Sequence, residues 1–120
     1  MKICEPLSKT ADYFSALANP FRLQILLVIG AGEVCVCHLE CVLKKRQAYI
    51  SQHLMALREA GILETQREGK YIFYRVAEKN TLRLIREVAA LAGIESTEML
   101  KNNQHAIIKS CGCPHCKPDK

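Results

Sequence analysis

The chain has no tryptophan, and aromatic residues make up only 6% of its 120 residues. Its longest apolar run, residues 23–29, is interrupted by Gln24 and is far shorter than the roughly 20 residues that cross a bilayer. The first residues, MKICEPLSK, lack the basic, apolar and small-residue segments of a secretory signal. Internal repeats and low-complexity linkers are also absent from the sequence. These absences predict a small, mainly helical protein in the cytoplasm that makes no contact with a membrane.

Positive charge is concentrated in the middle of the chain. The formal net charge is +5, and between Lys44 and Arg75 seven Lys or Arg stand against three Glu, an excess of four. A localised basic surface is typical of a nucleic-acid binder, although an ordinary solvated face can have the same composition.

Seven cysteines are many for a cytoplasmic chain of this length. Cytoplasmic thiols stay reduced, so these cysteines are better interpreted as ligands or redox groups than as disulfides. Three of them, Cys35, Cys37 and Cys41, come just before the most basic run, residues 44–46. This order predicts a protein that couples the binding of a soft ligand to the binding of nucleic acid.

Hydrophobic spacing predicts four helices, then one β-hairpin, then further helix. Asn19 is placed as the N-cap of a helix that begins at Pro20 and is apolar nearly all round, which indicates a buried position. The predicted elements are a helix from Pro6 to about residue 18, helices at 20–29, 37–43 and 47–60, strands at 62–67 and 71–76, a helix at about 78–92, and a less distinct one at about 96–101.

This order predicts a mainly α fold with a small β-hairpin, a dimeric winged helix-turn-helix. Spare apolar faces on the terminal helices indicate the dimer interface. The fourth helix would enter the major groove and the hairpin tip would reach the backbone or the minor groove. We expect residues 1–95 to form the DNA-binding and dimerisation domain and residues 96–120 a C-terminal extension with a Cys-rich tail.

Residues 17–76 resemble the ArsR/SmtB family of bacterial winged-helix metalloregulators. The resemblance is carried by LANPFRLQILLVI, EVCVCHLE, ISQHLMALREAGIL and the wing segment EGKYIFYR. It implies a homodimeric repressor, and not an enzyme, that binds double-stranded operator DNA and releases it when a ligand binds. It also implies a set of DNA-facing positions. Gln and Ser suit base edges, and Lys and Arg suit phosphates. The set is Lys45, Arg46, Gln47, Tyr49, Ser51, Gln52, His53 and Lys70. His53 could equally be packed at the turn.

The resemblance gives the EVCVC segment the role of the family's metal motif, with arsenite or antimonite as inducer. Two departures stand out: His38 replaces a common acidic residue, and Cys41 comes four residues after Cys37, where a spacing of three is common. Cys37 and Cys41 share one helical face, whereas Cys35 would point away on a regular helix. The predicted trithiolate site of Cys35, Cys37 and Cys41 therefore needs a bent helix start, and Cys41 could instead be a buried space-filler.

The C-terminal sequence CGCPHC forms a possible second metal cluster of Cys111, Cys113, His115 and Cys116. These residues, or Cys4, could supply extra ligands for cadmium, lead or zinc, which is the main alternative to arsenite. A second alternative is a repressor that senses oxidants or persulfides through its cysteines. The least favoured alternative is a thiol-disulfide oxidoreductase using the CPHC segment, because that segment lacks the helix such motifs require. The family's alternative zinc site on the last long helix is not expected, since residues 78–92 contain no His.

Overall fold

The computed structural model describes residues 5–95, which form five helices and three strands. In chain order these are α1 (Glu5–Leu17), α2 (Pro20–Ile29), β1 (Glu33–Cys35), α3 (Val36–Leu43), α4 (Gln47–Glu59), β2 (Leu63–Glu68), β3 (Tyr71–Val76) and α5 (Asn80–Leu91). The predicted winged helix-turn-helix is confirmed, with α3 and α4 as the helix pair and the β2–β3 hairpin as the wing. The helix predicted at about 96–101 lies outside the described residues.

Helix α2 is the centre of the fold, and it has the bounds that its sequence predicts. The side-chain oxygen of Asn19 accepts hydrogen bonds from the backbone N–H groups of Phe21 and Arg22, at 2.9 and 3.1 Å. These bonds satisfy donors that the first turn of a helix otherwise leaves without partners. Ile25 and Leu26 are completely buried. None of the helices within residues 5–95 combines the length and apolarity that a bilayer span requires.

The hydrophobic core fixes how α4 is oriented on the body of the protein. Ile50, Leu54 and Leu57 recur at helical spacing, and each is at most 1% exposed. They pack in one cluster with residues of α2, α3 and α5. Burying three large aliphatic side chains contributes on the order of 1.5–3 kcal/mol each. The opposite face of α4 is therefore held outward.

The sheet has three antiparallel strands in the order β1-β3-β2, one more than the predicted hairpin. Strand β1 is three residues long, too short for an alternating pattern to reveal it. It pairs with the wing in the register Val34 opposite Tyr74 and Cys35 opposite Phe73. Gly69 lies at the wing turn with a φ of 62°, a conformation that favours glycine.

Side chains alternate between the two faces of this sheet. One face joins the main core through four residues, namely Val34, Leu63, Tyr74 and Val76. The other face carries a second buried cluster of Cys35 and Phe73, against which Cys37 and Tyr71 pack. Further along this face, Arg75 forms ion pairs with Glu64 at 2.6 Å and Glu33 at 3.8 Å. Of the two cysteines in the EVCVC segment, Cys35 thus lies on the sheet that forms the wing, and Cys37, on α3, packs against it.

Candidate nucleic-acid interface and thiol site

Helix α4 presents a largely polar face away from the core, where Tyr49 also contacts Phe21 of α2. Gln47, Tyr49 and Gln52 are exposed on this face and Ser51 is half-buried. The helix begins just after the exposed basic residues Lys45 and Arg46, with Arg46 as its N-cap. Amide and hydroxyl groups beside guanidinium and ammonium groups can form hydrogen bonds to base edges and neutralise phosphates.

The turn between α3 and α4 is sharpened by an unusual backbone conformation. Lys44 has a φ of 57° and a ψ of 44°, and within residues 5–95 it is the single non-glycine residue with positive φ. Its backbone N–H donates to the Glu40 carbonyl oxygen at 2.8 Å, which ends α3. This left-handed residue turns the chain so that Lys45 and Arg46 lead directly into α4.

His53 is tied to α2 by a hydrogen bond. The Arg22 Nε–H donates to His53 Nδ1 at 3.0 Å, and Arg22 Nη1 donates to the Ala16 carbonyl oxygen at 3.2 Å. Burial of the imidazole, aided by the neighbouring Arg22 guanidinium, lowers the pKa of His53 below its ordinary value of 6.5. A neutral ring that accepts at Nδ1 carries its proton on Nε2. The packed alternative foreseen for His53 is therefore present, and its predicted contact with DNA stays a prediction.

An aromatic cluster surrounds this bond. The rings of Phe21, Tyr49 and His53 lie with their centroids 4.9–5.2 Å apart in tilted and edge-on arrangements. Such geometries are favourable for aromatic pairs. Lys45 Nζ lies 5.7 Å from the Tyr49 ring centroid, within cation–π range. The cluster links the start of α2 to the start of α4.

At the wing tip, Lys70 is exposed and its Nζ lies 5.7 Å from the ring centroid of Tyr71. Tyr71 is the first residue of β3 and pairs with Glu68, the last residue of β2. Lys70 therefore lies at the end of the paired hairpin. Its ammonium group is placed where it can reach a DNA phosphate.

The Sγ atoms of Cys35 and Cys37 are in contact. Cys35 is the last residue of β1 and the N-cap of α3, with extended backbone angles of −94° and 169°. Because Cys35 precedes the helix, its side chain is not directed away from Cys37 as it would be on a regular helix. The chain passes from strand to helix at this point, and the convergence of all three cysteines stays a prediction.

Cys41 occupies a different position from this pair. It is an exposed free thiol on α3, whereas Cys35 is only 4% exposed. Among residues 5–95 no group of three or more His, Cys, Asp or Glu side chains is arranged to hold a metal ion. The structure brings Cys35 and Cys37 together and leaves Cys41 outside the pair. Cys4 and the predicted cluster of Cys111, Cys113, His115 and Cys116 lie outside the described residues.

An apolar groove of about 770 Å³ runs between α1, α2 and α5. Phe14 and Val88 line it and remain 54% and 49% exposed. Such a patch of large apolar side chains is typical of a protein–protein interface. Its position on the terminal helices is the one expected for the dimer interface.

Two contributors to the interface, Phe21 and Arg22, were not identified from the sequence. A signal for Arg22 was present, because it is the only charged residue in α2, whose other residues are apolar except Gln24. An isolated cation on a buried helix needs a partner. The sequence does not show that this partner is His53, which lies 31 residues further along the chain.

Comparison with known proteins points to one family. Residues 19–65 match the family described as bacterial regulatory protein, arsR family. The chain is 44% identical over 84 residues to the biofilm growth-associated repressor of Agrobacterium fabrum, covering 70% of this chain and 72% of that protein. It is 43% identical over 65 residues to the arsenical resistance operon repressor of Escherichia coli, covering 53% of this chain and 56% of that one.

A solved structure has the same fold. It is the solution structure of a homodimeric winged helix-turn-helix DNA-binding domain from Mycobacterium bovis, described as a possible ArsR-family transcriptional regulator. Its TM-score with this chain is 0.68 at 32% identity, covering 85% of this chain and 91% of that one.

Proposed function

Because this chain belongs to the arsR family of bacterial regulatory proteins, we propose that it is a transcriptional repressor that responds to a metal or metalloid. It binds operator DNA as a homodimer and is released when arsenite or antimonite binds its cysteine thiolates. The observation that carries the proposal is the contact between Cys35, the last residue of β1, and Cys37, the second residue of α3, beside the wing.

DNA binding is supported by the outward face of α4 and by the basic groups on either side of it. Gln47, Ser51 and Gln52 would contact base edges in the major groove, while Lys45, Arg46 and Lys70 would contact phosphates. Several phosphate contacts make the affinity depend steeply on salt.

Dimerisation is supported by the apolar groove between α1, α2 and α5. Two copies joined through this face would bury the exposed Phe14 and Val88 side chains. A two-fold dimer carries two copies of α4, and helix-turn-helix dimers bind half-sites about 34 Å apart. The operator is therefore expected to be an inverted repeat.

In the proposed site the cysteines react as reduced thiols. Arsenite, As(OH)₃, exchanges one hydroxyl for each thiol, so that one S–As bond replaces one As–O bond and one S–H bond is broken. The thiol proton leaves with the hydroxyl as water, and no atom is oxidised or reduced. Cys35 and Cys37 supply two sulfurs, and Cys41 is the proposed third. Soft thiolate ligands also suit cadmium, lead and zinc.

A second candidate function is suggested by the contact between the Cys35 and Cys37 sulfurs. Two neighbouring cysteines, when reduced, can be joined by an oxidant into a disulfide, or by an organic polysulfide into a bridged S–S–S link. In that case the repressor would sense redox or persulfide chemistry. The two hypotheses share the thiol pair and differ in whether a metal or metalloid is retained.

The test uses an operator enriched from a random pool of duplexes by the full-length protein. Fluorescence anisotropy then follows operator binding while arsenite, cadmium, lead, zinc or an organic tetrasulfide is added. We expect arsenite to release the operator and to be retained on the protein. Release by the tetrasulfide, with no response to arsenite, would instead establish the redox sensor.

Serine variants identify the ligands, because a hydroxyl cannot replace a soft thiolate. Cys35→Ser and Cys37→Ser are expected to bind the operator normally and to lose release by arsenite. The proposed trithiolate site requires the same of Cys41→Ser. A normal response of Cys41→Ser would remove Cys41 from the site while leaving the Cys35–Cys37 pair in place.

A further inference from the structure

The outward face of α4 carries an apolar side chain that the packing of the fold does not explain. Met55 is 61% exposed and belongs to neither buried cluster. The other large apolar side chain exposed on α4, Tyr49, packs in the aromatic cluster with Phe21. Most of the remaining ones lie on the terminal helices or just after α5, namely Leu7, Phe14, Val88, Leu91 and Ile94. Met55 is far from that apolar face in the sequence and lies on the helix that carries the candidate DNA contacts.

Met55 shares one line of the helix with Gln52. Successive residues of an α-helix are rotated by about 100°, so Ala48, Gln52 and Met55 lie within about 60° of one another, opposite the buried face of α4. All three are exposed. The same line continues to Glu59, whose negative charge repels phosphates. A surface that contacts DNA therefore has apolar groups on both sides of the Gln52 amide and ends near Met55.

The Met55 side chain can reach the base pair next to the one that Gln52 contacts. The two residues are separated by about 4.5 Å along the helix axis, little more than the 3.4 Å between stacked base pairs. Side chains on a helix lean towards its N-terminus, so the side chain of Met55 covers the surface beside Gln52. Methionine is unbranched and adapts to an irregular apolar surface.

The major groove offers one apolar group for such a side chain. Thymine carries its C5-methyl group there, whereas the other bases present hydrogen-bond donors and acceptors. The charge around Met55 also favours DNA as the partner, because Lys45 and Arg46 are exposed at the start of α4 and Arg58 is exposed one turn after Met55. These cations would contact the phosphates on either side of the groove.

We propose that Met55 is a specificity-determining residue, which recognises the methyl group of a thymine next to the base that Gln52 contacts. This inference rests on the proposed function, which places α4 in the major groove, and it concerns the operator sequence and not the inducer. The contact is a van der Waals contact between the Met55 side chain and the thymine methyl group. It removes both apolar groups from water.

The test replaces thymine by uracil, which removes the C5-methyl group and leaves base pairing unchanged. The operator enriched by the full-length protein is prepared as a set of duplexes, each with uracil at one thymine position of both half-sites. Fluorescence anisotropy measures the affinity for each duplex. We expect a position at which the loss is about fourfold for each half-site, and so about 15-fold for the dimer.

Three variants assign the methyl group to a side chain. Met55→Ala is expected to bind the thymine and uracil duplexes equally at that position, whereas Met55→Leu keeps an apolar side chain and should keep most of the difference. The matched control is Gln52→Ala, which should bind more weakly overall and still show the full effect of uracil. Because Met55 is exposed and alanine favours helix, Met55→Ala is expected to fold, which circular dichroism checks.

The outcomes separate this inference from the proposed function. If the parent binds every uracil duplex as it binds the operator, or if Met55→Ala keeps the effect of uracil, Met55 does not recognise thymine and the proposed function stands. The inference is also wrong if Gln52→Ala removes the effect as completely as Met55→Ala does, or if Met55→Ala changes only the oligomeric state in gel filtration. A parent protein that enriches no duplex would overturn the proposed function and this inference together.

Discussion

Lys44 holds the helix-turn-helix turn in a conformation that disfavours its own side chain. Its φ of 57° and ψ of 44° are left-handed, and a residue with a Cβ pays about 1–2 kcal/mol there. Lys44→Gly removes that strain. The same change makes the unfolded chain more flexible, which lowers stability by about 0.5–1 kcal/mol. The net effect is a gain of about 0.5–1 kcal/mol in the free energy of unfolding.

The matched control is Lys44→Ala, which removes the same charge at the same position and keeps the Cβ. The difference between the two variants therefore reports the left-handed backbone without the electrostatic change. We expect Lys44→Gly to be more stable than Lys44→Ala by about 0.5–1 kcal/mol.

Urea unfolding followed by circular dichroism measures this difference. With a slope of about 1–3 kcal/mol per molar urea, the midpoints should differ by about 0.5 M. Both variants must be compared at one protein concentration, because dimerisation makes apparent stability depend on concentration. A Lys44→Gly protein that unfolds at lower urea than Lys44→Ala would show that the turn does not have the left-handed geometry described above.

Two further predictions concern the interface. Arg22→Met should raise the pKa of His53 towards 6.5, measured by NMR titration of the ring, and an unchanged pKa would leave burial as its only cause. The pKa of His53 is lower in the folded protein than in the unfolded chain, so the neutral ring stabilises the fold. This contribution to the free energy of unfolding is complete above about pH 6.5 and is lost as the pH falls through the folded-state pKa. Arg22→Met should therefore make the free energy of unfolding depend less on pH in this range. Gln52→Ala should weaken binding to the enriched operator more than to random DNA, whereas Lys70→Ala should weaken both and reduce the slope of the salt dependence by about one. Equal effects of the last two variants on both DNAs would contradict the assigned roles.

The parts of the fold that the sequence predicted well have local causes. Asn19 and Pro20 specify the start of α2 through a cap and a fixed φ within one turn. The buried face of α4 follows from the spacing of Ile50, Leu54 and Leu57, which a single helix determines. Gly69 marks the wing turn in the same way. Each signal lies within a few residues of the structure that it predicts.

The parts that were missed depend on residues far apart in the chain. Strand β1 exists because Val34 and Cys35 pair with Tyr74 and Phe73, and three residues carry no periodicity of their own. The sequence predicted a helix at 37–43 and a bent start before it, but not that Cys35 ends a strand. Long-range pairing, which local patterns do not encode, thus decided where Cys35 lies relative to Cys37.

If the proposed function holds, the position of Cys35 and Cys37 bears on how a small ligand acts on DNA binding. Cys35 ends strand β1, which pairs with the wing, and Cys37 is the second residue of α3, the helix that leads to α4. A ligand held by both sulfurs would therefore adjoin both proposed DNA-binding elements. A tenfold loss of operator affinity needs a difference of only about 1.4 kcal/mol between the two states. A ligand that fitted the DNA-bound arrangement equally well would release nothing, however tightly it bound. On the proposed function, the arrangement of the cysteine sulfurs in the DNA-bound state would therefore determine which ligands induce release.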